Sequence, residues 1–272
     1  MTTLTTHPDV DETQRVLPRP KRIDGIPMGR IVGVELRKMF DTRSGFWLMA
    51  SIAIAATLAT GAVILFASDS SITYDSFGAA IGVPMTVLLP VVAILSVTSE
   101  WSQRSGLTTF TLVPHRGRIV TAKLAATLVV GVTSMLVALG IGAVGNVLGS
   151  TIKGVDTVWD ISLNQVLSII LANVLGMLVG FMLGVLIRNS AGAVVGYFVF
   201  AFVLPTLSAL LAGSQAWFRD LQPWVDFNFA QSRLFDTGMT SEHWAQLGVS
   251  SIIWLVVPLA VGLALLMRSE VK

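Results

Sequence analysis

Residues 100–123 read EWSQRSGLTTFTLVPHRGRIVTAK, a polar stretch set between two long apolar runs. Residues 77–99 before it read FGAAIGVPMTVLLPVVAILSVTS, and residues 124–148 after it read LAATLVVGVTSMLVALGIGAVGNVL. Each flank exceeds the ~20 helical residues that cross a hydrocarbon core. Each is also continuously apolar rather than alternating. A barrel strand would alternate, and an open sheet would leave backbone groups unpaired in lipid, so both flanks are helices.

The rest of the chain repeats the pattern. Apolar runs at 46–67, 166–187, 191–211 and 247–267 join the two flanks to make six spans. Hydrophobic residues make up 53% of the chain and charged ones 12%, about half the share of a soluble domain. The mean hydropathy is +0.76. The fold class expected is an all-α integral membrane protein, with residues 46–272 forming a six-helix transmembrane domain.

Two segments precede it. Residues 1–27 are rich in Thr, Pro and charge, have no apolar core segment, and are expected to form a disordered cytoplasmic tail. Residues 28–45 change character. Val32, Leu36, Met39 and Phe40 recur at helical spacing, while Arg30, Arg37, Lys38 and Asp41 fall largely on other faces. That pattern is an amphipathic helix suited to the membrane interface or to a partner surface.

Basic residues set the orientation. With the N-terminus in the cytoplasm, fifteen of the eighteen Lys and Arg residues fall on the inner side, and only Lys153, Arg219 and Arg233 outside. The positive-inside rule therefore places both termini in the cytoplasm. The inner connection between the fourth and fifth spans is only Arg188, Asn189 and Ser190, which dictates a tight hairpin. The outer segment 212–246 carries seven aromatic residues, too many for free solution, and is expected to pack on the bundle or dip into the outer interface.

Several chemistries are excluded or disfavoured. The chain has no cysteine, which removes disulfides, thiolate metal sites and cysteine nucleophiles. A net charge of +2 gives no footprint for nucleic acid. No HExxH motif occurs, and His7, His115 and His243 lie far apart, so no catalytic or metal site is assigned. Gly140–Gly145 spell GIGAVG inside an apolar span with no preceding strand, a packing feature rather than a dinucleotide loop. No Asp, Glu, Lys, Arg or His lies within the six spans, which speaks against ion-coupled secondary transport. No phosphate-binding GxxxxGK[ST] loop occurs either. An ATP-driven activity would need its nucleotide on another chain.

Within the spans, Gly176, Gly180 and Gly184 recur every four residues and are candidates for close helix packing. Pro84, Pro90, Pro205 and Pro258 free backbone carbonyls and are candidate hinges. Asn173 is a candidate for an interhelical bond or for the wall of a cargo path.

These residues together resemble the membrane subunits of ABC type-2 exporters. The resemblance runs from about Met28 to Arg268. It is carried by Glu100 closing the second span, the Thr- and Leu-containing segment 108–112, Pro114 with Arg116, and the downstream Lys123. The segment VELRKMFDTRSGFW, with Glu35, Arg37, Lys38 and Arg43, is similar to that family's amphipathic helix. The resemblance implies a permease subunit in a bacterial inner or other cell membrane, paired with a second permease subunit as homodimer or heterodimer. A separate ABC ATPase subunit, holding ATP and Mg, would dock on the loop 100–123, with Glu100, Arg104, Pro114, Arg116, Arg118 and Lys123 as coupling residues. No cofactor is expected on this chain. The alternatives are a membrane enzyme or scaffold working through segment 212–246, or a secondary transporter.

Overall fold

A computed structural model describes residues 26–41, 43–102, 116–236 and 238–268, apart from the side chains of residues 44, 100–102 and 116. Most of the tail, together with Arg104 and Pro114, lies outside these residues.

The protein is all-α. Helix α1 (Met28–Asp41) is amphipathic and leads into α2 (Arg43–Phe66), α3 (Tyr74–Ser102), α4 (Arg116–Lys153) and α5 (Leu163–Ile187). Two further long helices, α6 (Ser190–Ser214) and α9 (Ser241–Arg268), flank a pair of short ones, α7 (Ala216–Val225) and α8 (Phe227–Ser232). Among the described residues, six of these nine helices, α2 to α6 and α9, are long and apolar enough to cross a membrane, as expected from the sequence. The chain is a multi-pass membrane protein.

Helix bounds differ from the hydropathy-based spans where polar residues continue a helix beyond the bilayer. Helix α4 has 38 residues, about 57 Å at 1.5 Å per residue, against a core of ~30 Å. It starts at Arg116, so residues 116–123, expected in a loop, are the first two turns of a span. The α5–α6 turn needs only Arg188 and Asn189. Arg188 takes a left-handed φ of 55° while its N–H bonds to the Gly184 carbonyl, and Asn189 caps α6 by accepting the Gly192 N–H.

Connectivity gives the bundle two ends. The α1 end gathers α1, the end of α3, the start of α4 and the α5–α6 turn, where Thr98 and Ser190 hydroxyls meet at 2.8 Å. The far end gathers residues 67–73 and 154–162, tied together by the Tyr74 N–H on the Val158 carbonyl and the Asp75 N–H on Asp160.

Two cores fill the bundle. One joins α2, α3, α4 and α5 around Met85, Leu89, Val130 and Phe181, and α1 lays Leu36 and Met39 against it. The other joins α5, α6 and α9 to α8 around Met182, Phe200, Phe227 and Leu255. Close contact between α3 and α5 depends on glycine. A Cβ added at Gly180 would lie 2.5 Å from the Pro90 carbonyl oxygen, and one at Gly184 would lie 3.4 Å from that of Ile94. Gly176 faces the Pro90 ring, the Gln231 amide and the Tyr197 hydroxyl.

The segment after α6 does not remain at the far end. It turns back along α6 as an antiparallel hairpin. Arg219 donates to the Ala212 carbonyl at 2.9 Å, Gln222 to the Ser208 hydroxyl at 3.0 Å, and Asn228 to the Phe200 carbonyl at 3.1 Å. Phe200 lies fourteen residues before the end of α6, about 21 Å of helix. The aromatic segment thus reaches the middle of the bundle, deeper than an interfacial dip, and buries Phe227, Ala230 and Leu234 there.

Candidate functional site

The site of interest at the α1 end is an ion cluster buried between α1, α3 and α4. Helix α1 turns Ile31, Val32, Glu35, Leu36 and Met39 toward the bundle, leaving Arg37 and Phe40 exposed. Phe40, expected on the apolar stripe, therefore faces away. Glu35 sits on the buried face, 5% exposed, because a partner waits for it. The Lys123 ammonium donates to Glu35 Oε2 at 2.6 Å, and Lys38 donates to Oε1 at 2.8 Å. Lys123 is itself 5% exposed and also donates to the Ser96 carbonyl at 3.2 Å.

One lysine from the start of α4 thereby ties α1 to the last turns of α3. Burial pushes the Glu35 carboxyl up, but the Lys123 charge and hydrogen bond, aided by those of Lys38, outweigh it and hold the group below its ordinary 4.5. A carboxylate this buried is stable only with such pairing, and losing either partner strands a charge.

The other expected coupling residues are placed less centrally. Arg118, five residues before Lys123 in α4, donates to the Ile26 carbonyl and so fixes the start of α1. Glu100 and Arg116 lie in α3 and α4 at the edges of segment 103–115, with side chains outside the described residues. Arg37 makes an exposed pair with Asp41 at 3.7 Å, worth little in water, and Arg43 is exposed. In the sequence, Glu35 falls in the amphipathic helix and Lys123 in the loop 100–123. Their contact, spanning 88 positions, carries no local signal.

Deeper in the bundle, neutral side chains hold carbonyls that prolines release. Pro90 has no N–H for the Thr86 carbonyl, and the Tyr197 hydroxyl donates to it at 2.6 Å. In α6, a π-turn at Val199–Val203 shifts the Leu204 N–H onto the Val199 carbonyl. In that register the next donor would be residue 205, a proline, so Phe200 takes the Asn228 amide instead. In α9 a π-turn at Ile252–Val256 stands in the same position before Pro258. The Trp254 indole donates to the Val225 carbonyl at the hairpin tip at 2.6 Å, and Gln231 donates to the Ala172 carbonyl of α5 at 2.6 Å.

Asn173 is 3% exposed and donates to the Ile169 carbonyl of its own helix, while its Oδ1 has no partner. Asp226 at the hairpin tip is half-buried and caps α8 through the Phe229 N–H at 3.1 Å. The hairpin thus brings a carboxylate to membrane depth, which the composition of the spans alone does not reveal.

At the far end, a cavity of about 540 Å³ opens between the start of α5, the residues Asp236, Gly238 and Met239, and the start of α9, with Gln165, Ser168 and Trp244 also in its wall. No group of three potential metal ligands occurs among the described residues. No protein-family model matches this chain, and no curated protein matches it.

Proposed function

We propose that the chain is the permease subunit of an ATP-driven exporter, with the α1 end in the cytoplasm. Energy then enters through a separate ATPase docked on residues 100–123. The observation that carries this reading is the buried Glu35–Lys123 pair. It stands where the candidate docking segment meets the membrane, and it joins α1, α3 and α4 into one mechanical unit. A push on the segment between α3 and α4 moves α1 with it. A chain without a phosphate-binding loop needs such an input from outside. The ATPase holds ATP and Mg, a second permease subunit completes the pathway, and this chain performs no catalysis.

The test is purification of the full chain with an ATP-hydrolysing partner from its native membrane, followed by reconstitution. Export that requires the partner and ATP supports the proposal, and transport in vesicles without any ATPase sinks it.

Asp226 favours a second reading, ion-coupled transport, because an ionisable group at membrane depth is the usual element of an ion pathway. That reading requires gradient-driven uptake by the chain alone, abolished by Asp226→Asn. The cavity beside Trp244 is the feature a membrane enzyme or scaffold would use. It requires binding that survives disruption of the Glu35–Lys123 pair.

A further inference from the structure

We propose that the far-end cavity between the starts of α5 and α9 binds an organic cation, an ammonium head carried on a small apolar body. Its volume of about 540 Å³ lies within the range of small-molecule sites. The wall is sorted by depth. On α5, Asn164, Ser168 and Leu171 recur at helical spacing and share one face. From Asn164 to Leu171 is about 10 Å of helix, polar at the start of the span and apolar farther in. The other side of the cavity carries Asp236, Met239 and Trp244.

Charge decides the class of ligand. Among the described residues of the wall, none is Lys, Arg or His, whereas Asp236 is a carboxylate. Arg233 comes within 3.5 Å of Asp236, but both side chains are well exposed, and such a pair is too weak to cancel the carboxylate. Gln165 donates to a second carboxylate, Asp75, at 3.2 Å, and a third, Asp160, accepts the Asp75 N–H. Helix starts ordinarily favour anions. Here Ser162 accepts the Gln165 N–H, Thr240 accepts the His243 N–H, and Glu242 already occupies the first turn of α9. An anion entering the cavity would therefore meet Asp236 and no base in the wall.

Trp244 supplies the second element. Its indole is 47% exposed, so the ring is open to a ligand, and an indole face attracts cations more strongly than any other ring. The chain uses this combination once on its own account. The Arg233 guanidinium lies 5.0 Å from the Phe229 ring centroid while it faces Asp236. The cavity offers a ring and a carboxylate to a cation from outside the chain. That cation is either the ammonium headgroup of a neighbouring lipid or a free amphiphile.

The test uses the full chain in an uncharged polyoxyethylene detergent, titrated with benzyltrimethylammonium and followed by ligand-observed NMR. No ATPase is present, so failure here is separate from failure of the ATP-driven reading. The probe should bind about tenfold more tightly than benzyl alcohol, phenylacetate or glucose, the weight expected of its charge at a ring and a carboxylate. Trp244→Leu should weaken the probe about fivefold, and Trp244→Tyr, which restores a ring, should recover most of that loss. Asp236→Asn should weaken it about threefold at low salt and remove most of its salt dependence.

Added lipid identifies the source. Displacement of the probe by phosphatidylethanolamine but not by diacylglycerol assigns the site to a headgroup, and a probe retained against both assigns it to a free amphiphile. The proposal is overturned if diacylglycerol displaces the probe as well as phosphatidylethanolamine does, or if benzyl alcohol or glucose binds as tightly as the cation. It is also overturned if Trp244→Leu and Asp236→Asn both leave the probe's affinity unchanged. The comparison of ligands is made on the unaltered chain, so it decides the matter even if a variant does not fold.

Discussion

The two regions that join helices across the bundle use opposite chemistry. At the α1 end, α1, α3 and α4 are joined by full charges, with Lys123 and Lys38 on Glu35. At mid-depth, α3, α5, α6, α9 and the hairpin are joined by a phenol, two amides and an indole on backbone carbonyls. Position decides the difference. Near the interface water can solvate the charges during insertion, whereas a charge at the bilayer centre costs roughly 2.5–3.5 kcal/mol on insertion scales. Neutral donors meet the carbonyls that prolines release without that cost. The consequence is a stiff end and a yielding middle, the arrangement expected if force enters at one and motion happens at the other.

Breaking the stiff end should have the largest effect. Lys123→Met alone leaves Glu35 buried without its partner and should destabilise the protein by about 3–5 kcal/mol in reversible detergent unfolding. The double change Glu35→Leu with Lys123→Met removes both charges and should recover most of that loss. If the single and double variants lose equal stability, the pair is only packing.

Glycine at the α3–α5 contact comes next. Gly180→Ala forces a methyl group against the Pro90 carbonyl and should cost about 1–3 kcal/mol, measured the same way. Tyr197→Phe leaves the Thr86 carbonyl without its donor and should cost about 1 kcal/mol, less than either change above. An equal effect of Tyr197→Phe and Lys123→Met would erase the distinction between the two regions.

The smallest effect concerns pH. Because the Glu35 carboxyl is held below its ordinary value, its stabilisation is complete above pH ~4.5 and fades only as pH falls through the lowered folded value. Amide exchange in α1 should therefore be independent of pH-linked unfolding at neutral pH and accelerate in acid. The bonds that Asn228, Gln231 and Trp254 make to backbone carbonyls involve no carboxylate, so exchange at those contacts should show no such acid-specific loosening in the same samples.

Much of this was legible in the sequence. The six spans were, because runs such as LAATLVVGVTSMLVALG permit only one structure in lipid. The amphipathic character of α1 was also visible, but its facing was set by Glu35, whose partner lies in a different helix. Without that partner, a carboxylate reads as a surface residue. The four span prolines pointed to hinges, but not to the tyrosine and asparagine that cover the released carbonyls. Least legible was the descent of the hairpin. Arg219, Asp220 and Asp226 give it the composition of an external loop, and only the pairing of Arg219, Gln222 and Asn228 along α6 shows that it turns inward.

The central claim is that the Glu35–Lys123 pair carries force from the segment between α3 and α4 into α1. The direct measurement is ATP hydrolysis by the ATPase proposed as partner, reconstituted in nanodiscs with the wild-type chain or with the Glu35→Leu/Lys123→Met double variant. The account predicts that the double variant folds and still binds the partner, yet no longer transmits cargo-dependent stimulation. Stimulation equal to wild type in a folded double variant would contradict it.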